Sequence, residues 1–289
     1  MPANLGSILT AMVTPFDAEL RIDEDATVAL MHHLVEHGSD GLVVCGTTGE
    51  VATLSDDEQL GLIELAVGEM RGRCTVVAGV GSNDTRHAVH LTERATELGA
   101  DATLSVTPYY VRPNRRGIIR HFEEIAKATE KPIVLYNIPS RTGTDMPNDL
   151  LAELAQIDHV DAVKQANNAN LAAIDGLELY AGNDEILCRT LELGGAGGIC
   201  VASHLVGEQM RRMVDEPERR REIDAELQDV YGALAVTSNP IPVKAALNLL
   251  GHCVGGLRLP MVAADEQELA AIAGMLERRG LLRETSARL

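Results

Sequence analysis

Tryptophan is absent, and the 289 residues hold only two phenylalanines and five tyrosines. Proteins that grip single strands stack bases on aromatic rings, and this chain has little material for that. Positive charge is scarce as well: 25 Lys and Arg stand against 43 Asp and Glu, a formal net charge of −18. Binding to a phosphate backbone gains from counterions released at a basic face, so no nucleic-acid partner is expected. Cysteine is sparse and odd in number, and Cys45, Cys74, Cys188, Cys200 and Cys253 include no CxxC pair. That pattern argues against a disulfide framework or a zinc knuckle and suits small core residues in a reducing compartment. No apolar run reaches membrane-spanning length, and Met1 to Gly6 lacks a basic region followed by an apolar core. The expectation is a soluble cytoplasmic protein with no membrane partner.

What is present is a regular alternation. With 45% hydrophobic residues the chain can bury a large core. Short β-rich runs alternate with helix-patterned segments eight times. The strands are expected at Ser7–Val13, Gly41–Val44, Thr75–Ala78, Ala102–Val106, Pro132–Leu135, Val160–Lys164, Leu177–Ala181 and Gly197–Val201. Helix signals fall between them: Glu24–Glu36 closes at His37-Gly38, Ser55 with Glu58 forms a capping-box pattern, and Pro147 sits where helices start. A short helix is expected over Ala169–Asp175. From Ser203 onward the pattern is helical, broken at Pro217, at Asn239-Pro240-Ile241-Pro242 and around Gly251–Pro260. Eight β/α units suit a closed (β/α)8 TIM barrel, spanning about residues 1–225, with a C-terminal helical extension over 226–289. A doubly wound sheet ranks second, since Gly79-Val80-Gly81-Ser82-Asn83-Asp84 lacks the third glycine of a dinucleotide fingerprint.

A barrel of this kind builds its active site from the loops after the carboxyl ends of its strands. That rule gathers scattered residues into one place. Thr47 and Thr48 follow the second strand, Tyr109 and Tyr110 the fourth, Tyr136 and Arg141 the fifth, and Lys164 ends the sixth. Taken singly each has a plainer reading: a turn, a packed loop, a solvated cation. Together they describe imine chemistry on a 2-oxo acid. A lysine amine dried by a strand end can attack a carbonyl, a phenol with hydrogen-bond partners can shuttle protons, and backbone amides around Gly46–Thr48 can hold a carboxylate. Arg141 can grip a second carboxylate with its forked guanidinium.

These motifs resemble the pyruvate-dependent class I aldolases and lyases, the family that includes dihydrodipicolinate synthase and N-acetylneuraminate lyase. The resemblance covers about Ser7 to Leu250 and lies in Gly46-Thr47-Thr48-Gly49-Glu50, Thr107-Pro108-Tyr109-Tyr110, Tyr136-Asn137-Ile138-Pro139 with Arg141-Thr142-Gly143, Lys164, and Gly197-Gly198-Ile199. It implies that Lys164 carries a pyruvate Schiff base and that Tyr136, Thr47 and Tyr110 relay protons, Tyr110 within a neighbouring subunit's site. Thr48, Ile199 and Gly182 would contact pyruvate, and Arg141 the carboxylate of the second substrate. Neither metal nor cofactor is implied, and a homotetramer built from dimers is. Gly-Thr-Thr-Gly and the arginine after Pro139-Ser140 favour the synthase branch, which condenses pyruvate with L-aspartate 4-semialdehyde in lysine biosynthesis. The alternatives are a relative acting on a sugar-derived 2-oxo acid and a non-catalytic barrel that binds a 2-oxo acid.

The chain departs from the family pattern in four places. Gln165 stands where Lys-Glu-Ala is usual, His204 where asparagine is common, and the stretch from Lys164 to Gly182 is short. Lysine-inhibited relatives use histidines and a glutamate where this chain has Asp56, Gln59 and His87, so weak or absent lysine inhibition is expected. Lys244, which follows two prolines at a helix start, is the rival Schiff-base lysine and is assigned to the extension. His33 and His37 are spaced for a metal but lack a third ligand, and Gly194–Gly198 is read as tight packing, not as a phosphate loop.

Overall fold

Parallel strands covered by helices outside and by side chains inside must be apolar on both faces, and these strands are. In the computed structural model, which describes residues 3–282, β1 (Ile8–Ala11), β2 (Gly41–Val44), β3 (Thr75–Gly79), β4 (Ala102–Val106), β5 (Ile133–Asn137), β6 (Val160–Gln165), β7 (Glu178–Ala181) and β8 (Gly197–Cys200) close into one parallel barrel in sequence order. Around it run α1 (Glu24–Glu36), α2 (Asp56–Met70), α3 (Thr85–Leu98), α4 (Arg115–Ala126), α5 (Pro139–Thr142), α6 (Asn148–Leu154), α7 (Leu187–Glu192) and α8 (Ser203–Asp215). The extension adds α9 (Arg220–Leu234), α10 (Ile241–Leu249) and α11 (Glu266–Arg278). The boundary expected after residue 225 falls inside α9. Among the described residues no helix is long and apolar enough to cross a membrane.

Alternation of side chains along each strand divides the core in two. Leu9, Val43, Val77, Leu104, Val134, Tyr136, Ala162, Tyr180 and Ile199 fill the barrel. Their strand neighbours Ile8, Leu42, Val76, Leu135, Val163, Leu179 and Cys200 pack outward against the helices. The β5–β6 ladder carries one irregularity: Ile133 pairs with Val160 but Val134 with Ala162, which leaves Asp161 as an extra residue. Beyond this bulge Tyr136 lies opposite Lys164, both in phase with inward-facing residues.

The capping box at Ser55 and Glu58 forms as the pattern implies, with both reciprocal hydrogen bonds present. Gly197 is packing, as expected: a Cβ there would lie 1.9 Å from the Ser7 carbonyl oxygen. Three expectations change. The helix expected over Ala169–Asp175 is absent; a 3-10 turn at Asn168–Asn170 takes its place. The Asn167 side chain accepts from Ala169 N and Asn170 donates to Asp145, bonds that compete with helix formation. The fifth strand runs on to Asn137, so Tyr136 is a strand residue and not a loop residue. Cys253 is exposed, unlike the buried Cys45, Cys188 and Cys200.

His204 closes the β1–β8 seam. Its Nε2 accepts from Val13 N at 3.2 Å and its Nδ1 donates to the Val201 carbonyl at 2.8 Å, so the ring is neutral. Burial pushes its pKa down to about 4, and burial does the same for His121. An unfolded histidine takes its proton near pH 6.5, so the unfolded state binds more protons between about pH 6.5 and 4. Stability is therefore expected to fall as pH drops through that window, by roughly 1.4 kcal/mol per pH unit for each such ring. Urea midpoints measured from pH 7 to 4 check this, and His204→Asn should show the shallower slope; equal slopes would contradict the assignment.

Candidate active site

Lys164 reaches the barrel interior because it follows Ala162 by one period of the strand. The residue is only 5% exposed, and Nζ lies 4.3 Å from the centroid of the Tyr136 ring. Among the described residues nothing accepts a hydrogen bond from this amine. Ile199, fully buried on β8, belongs to the same interior cluster as Tyr136. Behind the lumen, Asn137 and Gln165 fix the outer face of the same strand ends: Asn137 Nδ2 donates to Gln165 Oε1 at 3.0 Å and to Asp145 Oδ1 at 2.8 Å.

The second lysine is arranged in the opposite way. Lys244 is fully buried, and its ammonium donates to the Thr14 carbonyl at 2.9 Å, to Glu50 Oε1 at 2.8 Å and to the Gly256 carbonyl. Burial pushes its pKa down from the usual lysine value, and the Glu50 carboxylate pulls it back up. Three donors meet three acceptors, so no hydrogen of this ammonium is left for other chemistry.

The loop after β2 is a tight turn between two residues in left-handed conformation, Cys45 at φ 56° and Glu50 at φ 57°. Gly49 N and Glu50 N bond back to the carbonyls of Gly46 and Thr47, both at 3.1 Å. Among the described residues, the amides of Gly46, Thr47 and Thr48 donate to no protein acceptor. Three consecutive N–H groups are thus unspent in one turn, the kind of backbone arrangement that can accept an anion. Thr48 is buried, and its Oγ1 accepts from Asn239 Nδ2 at 2.9 Å. Arg141, exposed at the end of α5, donates from Nη2 to the Asn239 carbonyl at 3.2 Å.

A cavity of about 490 Å³ lies over these strand ends, with Thr47, Val106, Tyr109, Ile138, Arg141 and Asn239 among its lining. That is a suitable size for a small ligand. The same lining includes Asp56, Gln59 and His87; His87 Nε2 lies 3.0 Å from Asp56 Oδ1, and Gln59 donates to the Gly79 carbonyl at 2.7 Å.

Of the expected site residues the cavity lining includes Thr47 and Arg141, whereas Lys164, Tyr136, Thr48, Ile199, Tyr110 and Gly182 are not part of it. Tyr110 is 87% exposed, with φ at 69°, and stands outside its own chain's cavity. Gly182 has a packing reason for its lack of side chain, since a Cβ would meet Gln165 backbone atoms at 2.8 Å. Asn239 was legible only as part of a proline-bounded helix break. Its one signal was an amide held between turn-forming residues. His33, a metal candidate with His37, instead packs its ring against His37 and His252 at 4.1 and 4.3 Å between centroids. Among the described residues no group of three or more His, Cys, Asp or Glu is placed to hold a metal ion.

Residues 4–279 match the model of the dihydrodipicolinate synthetase family. The chain belongs to this family. It is 43% identical over 289 residues to the 4-hydroxy-tetrahydrodipicolinate synthase of Heliobacterium modesticaldum, an alignment covering 96% of both chains. Among solved structures it superposes on the dihydrodipicolinate synthase of Cyanidioschyzon merolae with lysine bound at TM-score 0.93 and 38% identity, covering 96% of this chain and 99% of that one. The chloride-inhibited enzyme of Acinetobacter baumannii complexed with pyruvate gives TM-score 0.92 at 33% identity, again over 96% and 99%. In this family member, then, Lys164 stands near the end of β6 beside Tyr136, while Thr47 of the loop after β2 lines the cavity at the barrel mouth.

The Lys244–Glu50 pair generates a stability prediction. Lys244→Met leaves a buried carboxylate without its cation and is expected to cost roughly 3–5 kcal/mol. The double variant E50Q/K244M removes both charges and should recover most of that loss. Denaturant midpoints check it; an equal deficit in single and double variants would contradict the pairing.

Proposed function

We propose that this chain is a 4-hydroxy-tetrahydrodipicolinate synthase that condenses pyruvate with L-aspartate 4-semialdehyde through an imine on Lys164. The observation that carries the reading is a buried amine without a protein acceptor, beside the Tyr136 ring inside the barrel of a member of this family. The neutral amine adds to C2 of pyruvate, and loss of water from the carbinolamine gives the imine. Removal of a proton from C3 yields an enamine. C3 then bonds to the aldehyde carbon, whose oxygen takes up a proton. Attack of the product's own amine on C2 closes the ring and returns the Lys164 amine. The imine is the electron sink, so the reaction calls for no cofactor.

Tyr136 and Thr47 carry protons in this scheme, with Tyr110 supplied by a second copy of the chain. Support for a shared site comes from Tyr110 and the neighbouring Val111, which are exposed apolar residues beside the barrel mouth. A homotetramer of dimers in the cytoplasm goes with this reading. Thr48 and the Gly46–Thr48 amides hold the pyruvate carboxylate against Ile199, near Gly182, and Arg141 receives the carboxylate of the semialdehyde.

Steady-state assay of condensation with aspartate semialdehyde, alongside cleavage of sugar-derived 2-oxo acids, tests the substrate. Condensation should exceed cleavage by at least about a hundredfold in kcat/KM, a difference of ~2.7 kcal/mol in transition-state stabilisation; the reverse order would overturn the reading. Lysine at low millimolar concentration is expected to inhibit weakly or not at all, because Asp56, Gln59 and His87 stand at the effector positions. A clear drop in rate would contradict this.

A further inference from the structure

The start of α10 touches the keto-acid site from outside the barrel. We propose that Asn239 is a positioning residue that turns the Thr48 hydroxyl toward the substrate carboxylate, and this rests on the reading of that cavity as a keto-acid site. A hydroxyl has one proton and two lone pairs. The Asn239 amide fills a lone pair of Thr48 Oγ1 at 2.9 Å, and among the described residues nothing accepts the hydroxyl proton. That proton is therefore left for a bound anion, beside the unspent amides of Gly46, Thr47 and Thr48.

Asn239 is itself held from several sides. Its carbonyl accepts from Arg141 Nη2 at 3.2 Å, so one residue links the loop after β2 to the end of α5. Pro240 follows it, and α10 begins at the next residue. Lys244, in the first turn of that helix, is tied to Thr14 and to Glu50, which lies two residues beyond Thr48. The Arg258 amide holds the other oxygen of Glu50 at 3.0 Å. The extension thus grips the Gly46–Glu50 loop at two points, and the amide at Asn239 decides which way Thr48 donates.

The test compares Asn239→Ala and Asn239→Asp with the unsubstituted protein, and repeats Asn239→Ala in a Thr48→Val background. The aspartate replaces a donor with an acceptor that captures the Thr48 proton and adds negative charge. Loss of a hydrogen bond to a charged group corresponds to about tenfold or more, so KM for pyruvate should rise at least tenfold in Asn239→Asp and several-fold in Asn239→Ala. In both, kcat should change by less than about threefold, since uniform binding is what is lost. Imine trapped with borohydride at saturating pyruvate should reach the same extent in both variants. In the Thr48→Val background Asn239→Ala should add nothing to KM, because the two act through one bond. Unchanged KM in both single variants, or an undiminished effect in the Thr48→Val background, would overturn the assignment of Asn239. Absence of any trapped imine in the unsubstituted protein would instead overturn the keto-acid reading and the proposal with it.

Discussion

Pairing of β5 with β6 is the constraint on which the site depends. Side chains alternate across a strand, so a shift of one residue would move the whole inward set to the helix face. Here the extra residue at Asp161 sets the phase. Past it, Val134 faces Ala162 and Tyr136 faces Lys164 on the lumen side, while Leu135 and Val163 turn to the helices. The asparagine and glutamine side chains behind the strand ends, tied to Asp145, hold this register where the ladder gives way to loop. The amine and the phenol are thus neighbours through backbone hydrogen bonding, before any ligand is present.

Two buried lysines show how the same burial serves different ends. Lys244 has its three donors matched to oxygens from three separate segments and ties the extension to the barrel. Lys164 has no such partners among the described residues and faces an aromatic ring. Removing water from an amine is costly unless hydrogen bonds replace it. In Lys244 three acceptors offset that cost, while among the described residues Lys164 keeps its donors free beside the Tyr136 ring. Hydrogen-bond partners thus separate the two lysines more clearly than depth of burial does.

Much of this was legible in the sequence, because eight strand–helix alternations and the rule that barrels act at their strand ends bring Thr47, Tyr136, Arg141 and Lys164 to one rim. The strands and the Ser55 cap carry local signals, and local signals survive folding. What was not legible depended on tertiary partners. Tyr136 lies within a strand because β6 pairs with it, and no property of the residue itself says so. The stretch after β6 lost its helix to hydrogen bonds from Asn167 and Asn170, one of them to a partner distant in sequence. Asn239 meets Thr48 and Arg141 across nearly two hundred and nearly one hundred residues, a separation that no spacing rule bridges.

Two lysines are buried, and among the described residues only Lys164 keeps its donors free. The direct measurement is to incubate the protein with pyruvate, reduce with borohydride, digest, and locate the adduct by mass spectrometry. A single adduct is expected on the peptide that contains Lys164, with the Lys244 peptide unmodified. An adduct on Lys244, or none on either lysine, would contradict it.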